Sequence, residues 1–446
     1  MESGEGSVPV VSGKKFLYFP QNNAICRKNF STFPLIFHFW IETPPERLHR
    51  KGTMESCNLL VLQSGIPGTV GNSALYGILS EALNHETIEE IYGVCNGFEG
   101  ILSQNFIDLA ALSQKKAQLL LSTAGSALGH ETYGFQPTDE TFKEMVGVLS
   151  QHNIRLLAVI GDRKSVEYTR QLLQIAQTEG YTLNGVVVPQ ADDNEFPMTD
   201  HGLGYGSSVK CLNALLTSFE RTLRDEAIPV GICEIGNAGS WIVAGAALLS
   251  ATTEKSVDAN DLPYIVCLPE QPFNAERLLT ILRNKLQRRE PILVVTHSQL
   301  INEEGNSLDV GTFGSVGAYL EQLVQSELNI PTYLSSYNLR LQPMSHFLSK
   351  QDQTEAVACG CAAVQALVKS ENEKAVILVR NDNKAVSCEP TLIPLKEITG
   401  IKFFPSDWIS ADTMTLQYSM SKYALPLIQG EVANTFEKGL PQLFRW

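Results

Sequence analysis

Asp192, Asp193 and Glu195 put three carboxylates within four residues. They follow the apolar run Val186-Val187-Val188-Pro189 and precede the glycine-rich approach Gly202-Leu203-Gly204-Tyr205-Gly206. The pattern reads as a strand, a charged loop and a helix that opens at Ser207. Carboxylates at the C-terminal edge of such a strand lie where open α/β sheets bind ligands, and there they hold a metal or accept a proton. The other reading is an Asp-rich surface turn, because Asp and Asn side chains bond their own backbone and stop strands.

Similar junctions recur along the chain. The strand Asn58–Leu62 runs into Gln63-Ser64-Gly65-Ile66-Pro67-Gly68-Thr69-Val70-Gly71-Asn72, and a helical stretch follows from Ser73. Amides at such a helix start favour anions without any charged side chain. The strand Leu156–Ile160 ends in Gly161-Asp162-Arg163-Lys164-Ser165. There the Arg163 guanidinium either forks onto a phosphate or faces solvent. Farther on, Tyr264–Leu268 ends in Pro269-Glu270-Gln271-Pro272-Phe273.

The alternation of strand, glycine turn and helix from Leu59 onward defines an α/β chain. Its 446 residues, 43% hydrophobic, suffice for two α/β domains. A net charge of −14 argues against a nucleic-acid partner and requires that any anionic substrate meet a local cationic cluster. No apolar run approaches the ~18–20 residues of a membrane span. The nine cysteines carry no Cys-x-x-Cys pair and read as reduced, buried thiols of a cytosolic protein, with no metal expected on them. Residues 1–53 differ in composition from the rest and are expected to be a floppy extension or a segment upstream of the functional start, with a transit peptide the lesser alternative.

The order and spacing of these motifs resemble the phosphofructokinase family from about Asn58 to Glu431. Gln63–Asn72 is similar to the family's Gly-Gly-Asp-x-Pro-Gly-x-Asn loop. Asn96-Gly97-Phe98-Glu99-Gly100 is similar to Asn-Gly-Phe/Tyr-x-Gly, and Gly125–Thr132 to Gly-Thr-x-Leu-Gly-Ser-x-Arg. Gly161-Asp162 falls at Gly-Gly-Asp-Gly-Ser/Thr, and Pro189–Glu195 at Pro-Lys-Thr-x-Asp-Asn-Asp. Gly236-Asn237-Ala238-Gly239-Ser240-Trp241-Ile242 matches Gly-Arg-x-x-Gly-Trp-Ile in register. Pro269-Glu270-Gln271-Pro272-Phe273 reproduces Pro-Glu-x-Pro-Phe and is the most specific match. The end, Tyr423–Glu431, resembles bacterial pyrophosphate-dependent members.

The resemblance implies two doubly wound, Rossmann-like domains with a cleft between them. A donor-side domain would comprise 54–205 plus 335–425, a sugar-side domain 206–334, and a tail 426–446. It implies that Asp193 takes the proton from a sugar 1-hydroxyl, and that Asp162 and Glu195 hold Mg²⁺. Gly65, Gly161, Asp162 and Arg163 would line the phosphate side; Gly236, Asn237, Glu270 and Gln342 would meet the sugar phosphate. The implied ligands are pyrophosphate and fructose 6-phosphate, and the implied assembly is a homo-oligomer or a hetero-oligomer with an active homologue, in the cytoplasm. Three of the family's arginine slots read Thr132, Asn237 and Gln342, and its lysine slot reads Gln190. Each charge-assisted hydrogen bond contributes roughly 1.5–3 kcal/mol. Losing two on the sugar side therefore removes about 10²- to 10⁴-fold in affinity. Two functions follow: a phosphotransferase with impaired or altered chemistry, and a catalytically inactive paralogue acting as a regulatory or structural subunit.

Overall fold

Residues 57–64, Cys-Asn-Leu-Leu-Val-Leu-Gln-Ser, are buried along their whole length, as expected of a strand covered on both faces of a parallel sheet. The computed structural model describes residues 56–250, 262–287, 290–339, 345–381 and 388–446. The expected extension over 1–53 and the candidate Gln342 lie outside the described residues.

The strands of the two large sheets are β1 (Cys57–Ser64), β2 (Ile88–Val94), β3 (Phe106–Asp108), β4 (Ile154–Gly161), β5 (Asn184–Pro189), β6 (Val230–Gly236), β7 (Tyr264–Cys267), β8 (Ile292–His297), β9 (Thr332–Asn338), β10 (Lys374–Arg380) and β11 (Cys388–Pro394). The longer helices are α1 (Gly71–Ala82), α2 (Asp139–Gln151), α3 (Arg163–Thr178), α4 (Tyr205–Asp225), α5 (Ala275–Lys285), α6 (Val316–Leu328) and α7 (Lys350–Val368). The first sheet has the order β11-β10-β5-β4-β1-β2-β3. It is parallel from β10 to β2, with antiparallel edges at β11 and β3. The second sheet, β7-β8-β6-β9, is wholly parallel. The fold is therefore α/β with two doubly wound sheets.

Alternation along the strands supplies a core to each face. Leu59 and Val61 of β1 point into one cluster with α1 and α7, whereas Leu60 and Leu62 point into another with α2 and α3. On β6, Cys233 and Ile235 pack with α4, and Val230 and Ile232 with α5 and α6. Helix starts follow from local chemistry: Thr138 and Thr141 form a reciprocal cap on α2, and Asp162, Asn274, Ser315 and Ser349 cap α3, α5, α6 and α7.

One contact ties the early chain to the late one. A Cβ on Gly77 of α1 would overlap the backbone oxygen of Val357, and one on Gly360 of α7 would overlap that of Ala74. The two helices thus cross backbone to backbone, which only glycine at both positions permits. The C-terminal end joins the same core: Phe444 is buried there and donates its amide to Thr123 Oγ1 (2.8 Å).

Candidate functional site

Three junctions at the carboxyl edge of the first sheet converge because their strands pair. β4 lies beside β1 with Ser64 opposite Gly161, and beside β5 with Gly161 opposite Pro189. Gln190 continues this edge by donating its amide to Gly161 O (2.8 Å). The helix after β5 starts at Tyr205, two residues before the Ser207 expected from sequence.

Gly65 adopts a left-handed φ of +76°, and a Cβ there would overlap the carboxylate of Asp162. Asp162 caps α3 through Oδ1, which accepts from Ser165 N and Oγ, both at 3.1 Å. Gly161 is equally confined, because a Cβ would strike Ser165 Oγ. Arg163 points away from this group: it is exposed and donates to Gly400 O (3.0 Å).

Two amides of the glycine turn, those of Gly65 and Thr69, have carboxylate partners. Gly65 N–H donates to Glu131 Oε2 (3.1 Å), and Phe98 N–H donates to Glu131 Oε1 (3.0 Å). Thr69 N–H donates to Asp192 Oδ2 (3.0 Å), and Ser208 Oγ donates to the same oxygen (3.1 Å). Burial, with Asp352 as a like-charged neighbour, pushes the Asp192 carboxyl up to about 7. Gln190 fills the hollow of the turn so closely that a Cβ on Gly68 or Gly71 would overlap its amide group. Gln190 Nε2 is buried with no hydrogen-bond partner.

Asp193 and Glu195 lie farther along the same loop. Glu195 N–H donates to Asp193 Oδ1 (3.1 Å). A Cβ on Gly239 would lie 2.8 Å from Glu195 Oε1 and 3.2 Å from Asp193 Cβ. The acidic loop thus reaches the turn after β6, where Gly236 ends the strand and Asn237 is exposed at a left-handed φ of 51°. His297, at the end of β8, bonds Ala238 O of that turn through Nε2 (2.8 Å). Glu270 follows β7 on the same edge of the second sheet, and its Oε2 is buried without a hydrogen-bond partner.

Beyond Glu195 the loop is tied down by charge. Arg380 clasps Asp200 through Nε and Nη2, both at 2.9 Å. His201 lies between Asp200 Oδ1 and Glu355 Oε2, each at 2.9 Å. Burial disfavours the imidazolium, but Glu355 and Asp200 outweigh it and raise His201 well above its ordinary value. Lys402 Nζ donates to Asp200 O, to Asn194 Oδ1 (3.3 Å) and to Tyr423 Oη (3.1 Å), and lies 4.7 Å from the centre of the Trp241 ring. Burial lowers its pKa to about 8. Asp352, at the start of α7, accepts from the amides of Gly204 and Ser207 (both 2.9 Å) and so fixes the entry into α4.

The phosphofructokinase family profile matches residues 58–367. The chain belongs to the phosphofructokinase family. The pyrophosphate--fructose 6-phosphate 1-phosphotransferase of Halomonas elongata is 25% identical over 408 residues, covering 87% of this chain and 96% of that one. The enzyme of the same name from Methylococcus capsulatus is 26% identical over 406 residues, covering 87% and 95%. The crystal structure of a pyrophosphate-dependent phosphofructokinase from Nitrosospira multiformis superposes with a TM-score of 0.78 at 24% identity, covering 86% of this chain and 95% of that one. The shared architecture therefore extends over nearly the whole of these relatives.

Thr132 and its neighbour Glu131 hold two of the chain's turns in place. Thr132 is exposed, and its amide is held by Glu99 Oε2 (2.9 Å). Its neighbour Glu131 is turned inward onto the glycine turn. Sequence reasoning passed over Glu131, although a carboxylate beside an arginine slot was a visible reversal of charge. Lys402 gave no comparable signal, being a single lysine between Ile401 and Phe403 far from any motif. Asp162 and Glu195 sit against different glycines, Gly65 and Gly239. Among the described residues, the metal-binding side chains that gather within 4.8 Å are instead Asp200, His201 and Cys388. No described helix is long and apolar enough to cross a membrane.

Proposed function

We propose that this chain is a phosphotransferase of the pyrophosphate-using type, acting on the 1-hydroxyl of fructose 6-phosphate or a related sugar phosphate, with its donor side largely closed. Asp193 is the base. It takes the hydroxyl proton while the sugar oxygen bonds to the terminal phosphorus, the bridging P–O bond breaks, and inorganic phosphate leaves. Glu270 Oε2, an unpartnered buried acceptor, is suited to a sugar hydroxyl. Asp162 would hold Mg²⁺ through Oδ2, since Oδ1 is taken by Ser165; one carboxylate plus substrate phosphates is an ordinary Mg²⁺ site. When bound, that cation neutralises charge on the transferred group.

The observation that carries this reading is the seat of Glu131 on the Gly65 and Phe98 amides. A donor phosphate must displace that carboxylate, giving up two charge-assisted bonds of roughly 1.5–3 kcal/mol each. If the two add, donor affinity falls about 10²- to 10⁴-fold. The same observation favours a second reading, a non-catalytic subunit paired with an active homologue. A screen of donors against acceptors with Mg²⁺ separates them. Slow turnover with pyrophosphate, none with ATP, and its loss in Asp193→Asn are expected for the phosphotransferase. No turnover with any pair leaves the subunit.

A further inference from the structure

Asp200, His201 and Cys388 stand apart from the residues assigned to phosphoryl transfer. Asp200 and His201 follow the acidic loop, which is stitched to β10 by Asp200 N–H to Leu378 O (2.8 Å) and Leu378 N–H to Thr199 Oγ1 (3.0 Å). Cys388 opens β11 directly opposite Arg380 in the antiparallel ladder. His201 is 1% exposed, so its ring is fixed by what surrounds it.

We propose that Asp200, His201 and Cys388 form a zinc site that fastens the β10–β11 hairpin to the loop bearing Asp193. His201 Nδ1 lies 2.9 Å from Asp200 Oδ1, Cys388 Sγ lies 3.8 Å from that oxygen, and Sγ lies 3.9 Å from Nδ1. Tetrahedral zinc with ordinary bond lengths separates N, O and S ligands by about 3.4–3.6 Å, so each separation needs to change by only about half an ångström. An imidazole and a thiolate select zinc over the hard cations Mg²⁺ and Ca²⁺. The other ring nitrogen, Nε2, is bonded to Glu355 Oε2 at 2.9 Å. This is the outer carboxylate that zinc-binding histidines use to fix the ring. Glu355 is itself held by Gln351 Nε2 (2.7 Å). Binding displaces one proton from the imidazole and one from the thiol, and these two offset the charge of the incoming cation. Arg380 donates Nε to Asp200 Oδ2 and Nη2 to Oδ1, both at 2.9 Å, so the metal shares Oδ1 with Arg380 and takes the lone pair that His201 Nδ1 now occupies.

The site is independent of whether the protein turns over a sugar phosphate, and its test uses no activity. The full chain, stripped with chelator, is titrated with Co²⁺ as a zinc surrogate and followed by absorption. The expected result is a thiolate-to-cobalt band that saturates at one equivalent, is lost in Cys388→Ser and is kept in Cys95→Ser. Zn²⁺ should abolish that band by competition, and Glu355→Gln should weaken binding about 10- to 100-fold. Circular dichroism confirms that Cys388→Ser, a change at a half-buried strand end, is folded. A band unaffected by Cys388→Ser, or no saturable binding at one equivalent, overturns the proposal.

Discussion

The glycine turn after β1 and the acidic loop after β5 occupy neighbouring positions on one sheet edge, yet they settle charge in opposite ways. At the turn, the carboxylates of Glu131 and Asp192 are met by backbone amides. On the loop, Asp200 is met by Arg380 and His201, with Lys402 lodged beneath. An amide is a donor for any anion, internal or external. A guanidinium clasping a partly buried carboxylate with two of its nitrogens belongs to the fold. The difference teaches that the acidic loop is held by pairing its own charges, whereas the Gly65 and Thr69 amides of the turn are met by carboxylates brought in from distant segments.

The contrast is broken most directly at Arg380. Arg380→Met leaves Asp200 without its clasp; the pair is only partly buried, so the loss should be about 1–3 kcal/mol, below the cost of breaking a fully buried pair. Urea denaturation should show that loss as a lower midpoint with an unchanged slope. No drop would mean that the loop does not depend on its ion pairs.

A comparable effect is expected where the two regions touch. Gly204 has a φ of +102°, and a Cβ there would overlap Asp192 Oδ1. Gly204→Ala should cost about 1–3 kcal/mol in backbone strain and displaced packing. Thermal melts read this directly, and an unchanged melting temperature would show that Asp192 moves aside freely.

Asp192 sharpens the comparison through pH. Its folded pKa, about 7, is raised above the ordinary 3.8. A raised carboxyl favours the folded state fully below pH 3.8 and loses that contribution as pH climbs to about 7. Asp192→Asn lacks this loss and retains an acceptor for the Thr69 amide. Relative to the native chain it should gain stability as pH rises from 3.8 to about 7 and then level off, by at most about 4 kcal/mol in all. A pH-independent difference would place the carboxyl in water.

Much of this was legible from the chain. Buried β-branched runs and glycine turns announced the two sheets, because the strand periodicity and turn chemistry are local. The spacing from Gly65 through Asp162 to Asp193 was equally readable, because strand pairing brings these junctions to one edge. Arg163 was not readable, since its direction depends on Gly400, 237 residues away. Glu131 and Lys402 were missed for the same reason. Their partners lie in distant segments, and the one cue at Glu131, its place beside a motif position, does not say which way the side chain turns. Cys388, read as an inert thiol, acquires its neighbours only through the β10–β11 hairpin.

The central claim is that Glu131 holds the amides a phosphoryl donor needs. Isothermal titration of pyrophosphate with Mg²⁺ into the native chain and into Glu131→Ala tests it most directly. The account predicts weak binding to the native chain and at least about tenfold tighter binding to the variant. Tight native binding that Glu131→Ala leaves unchanged would contradict it.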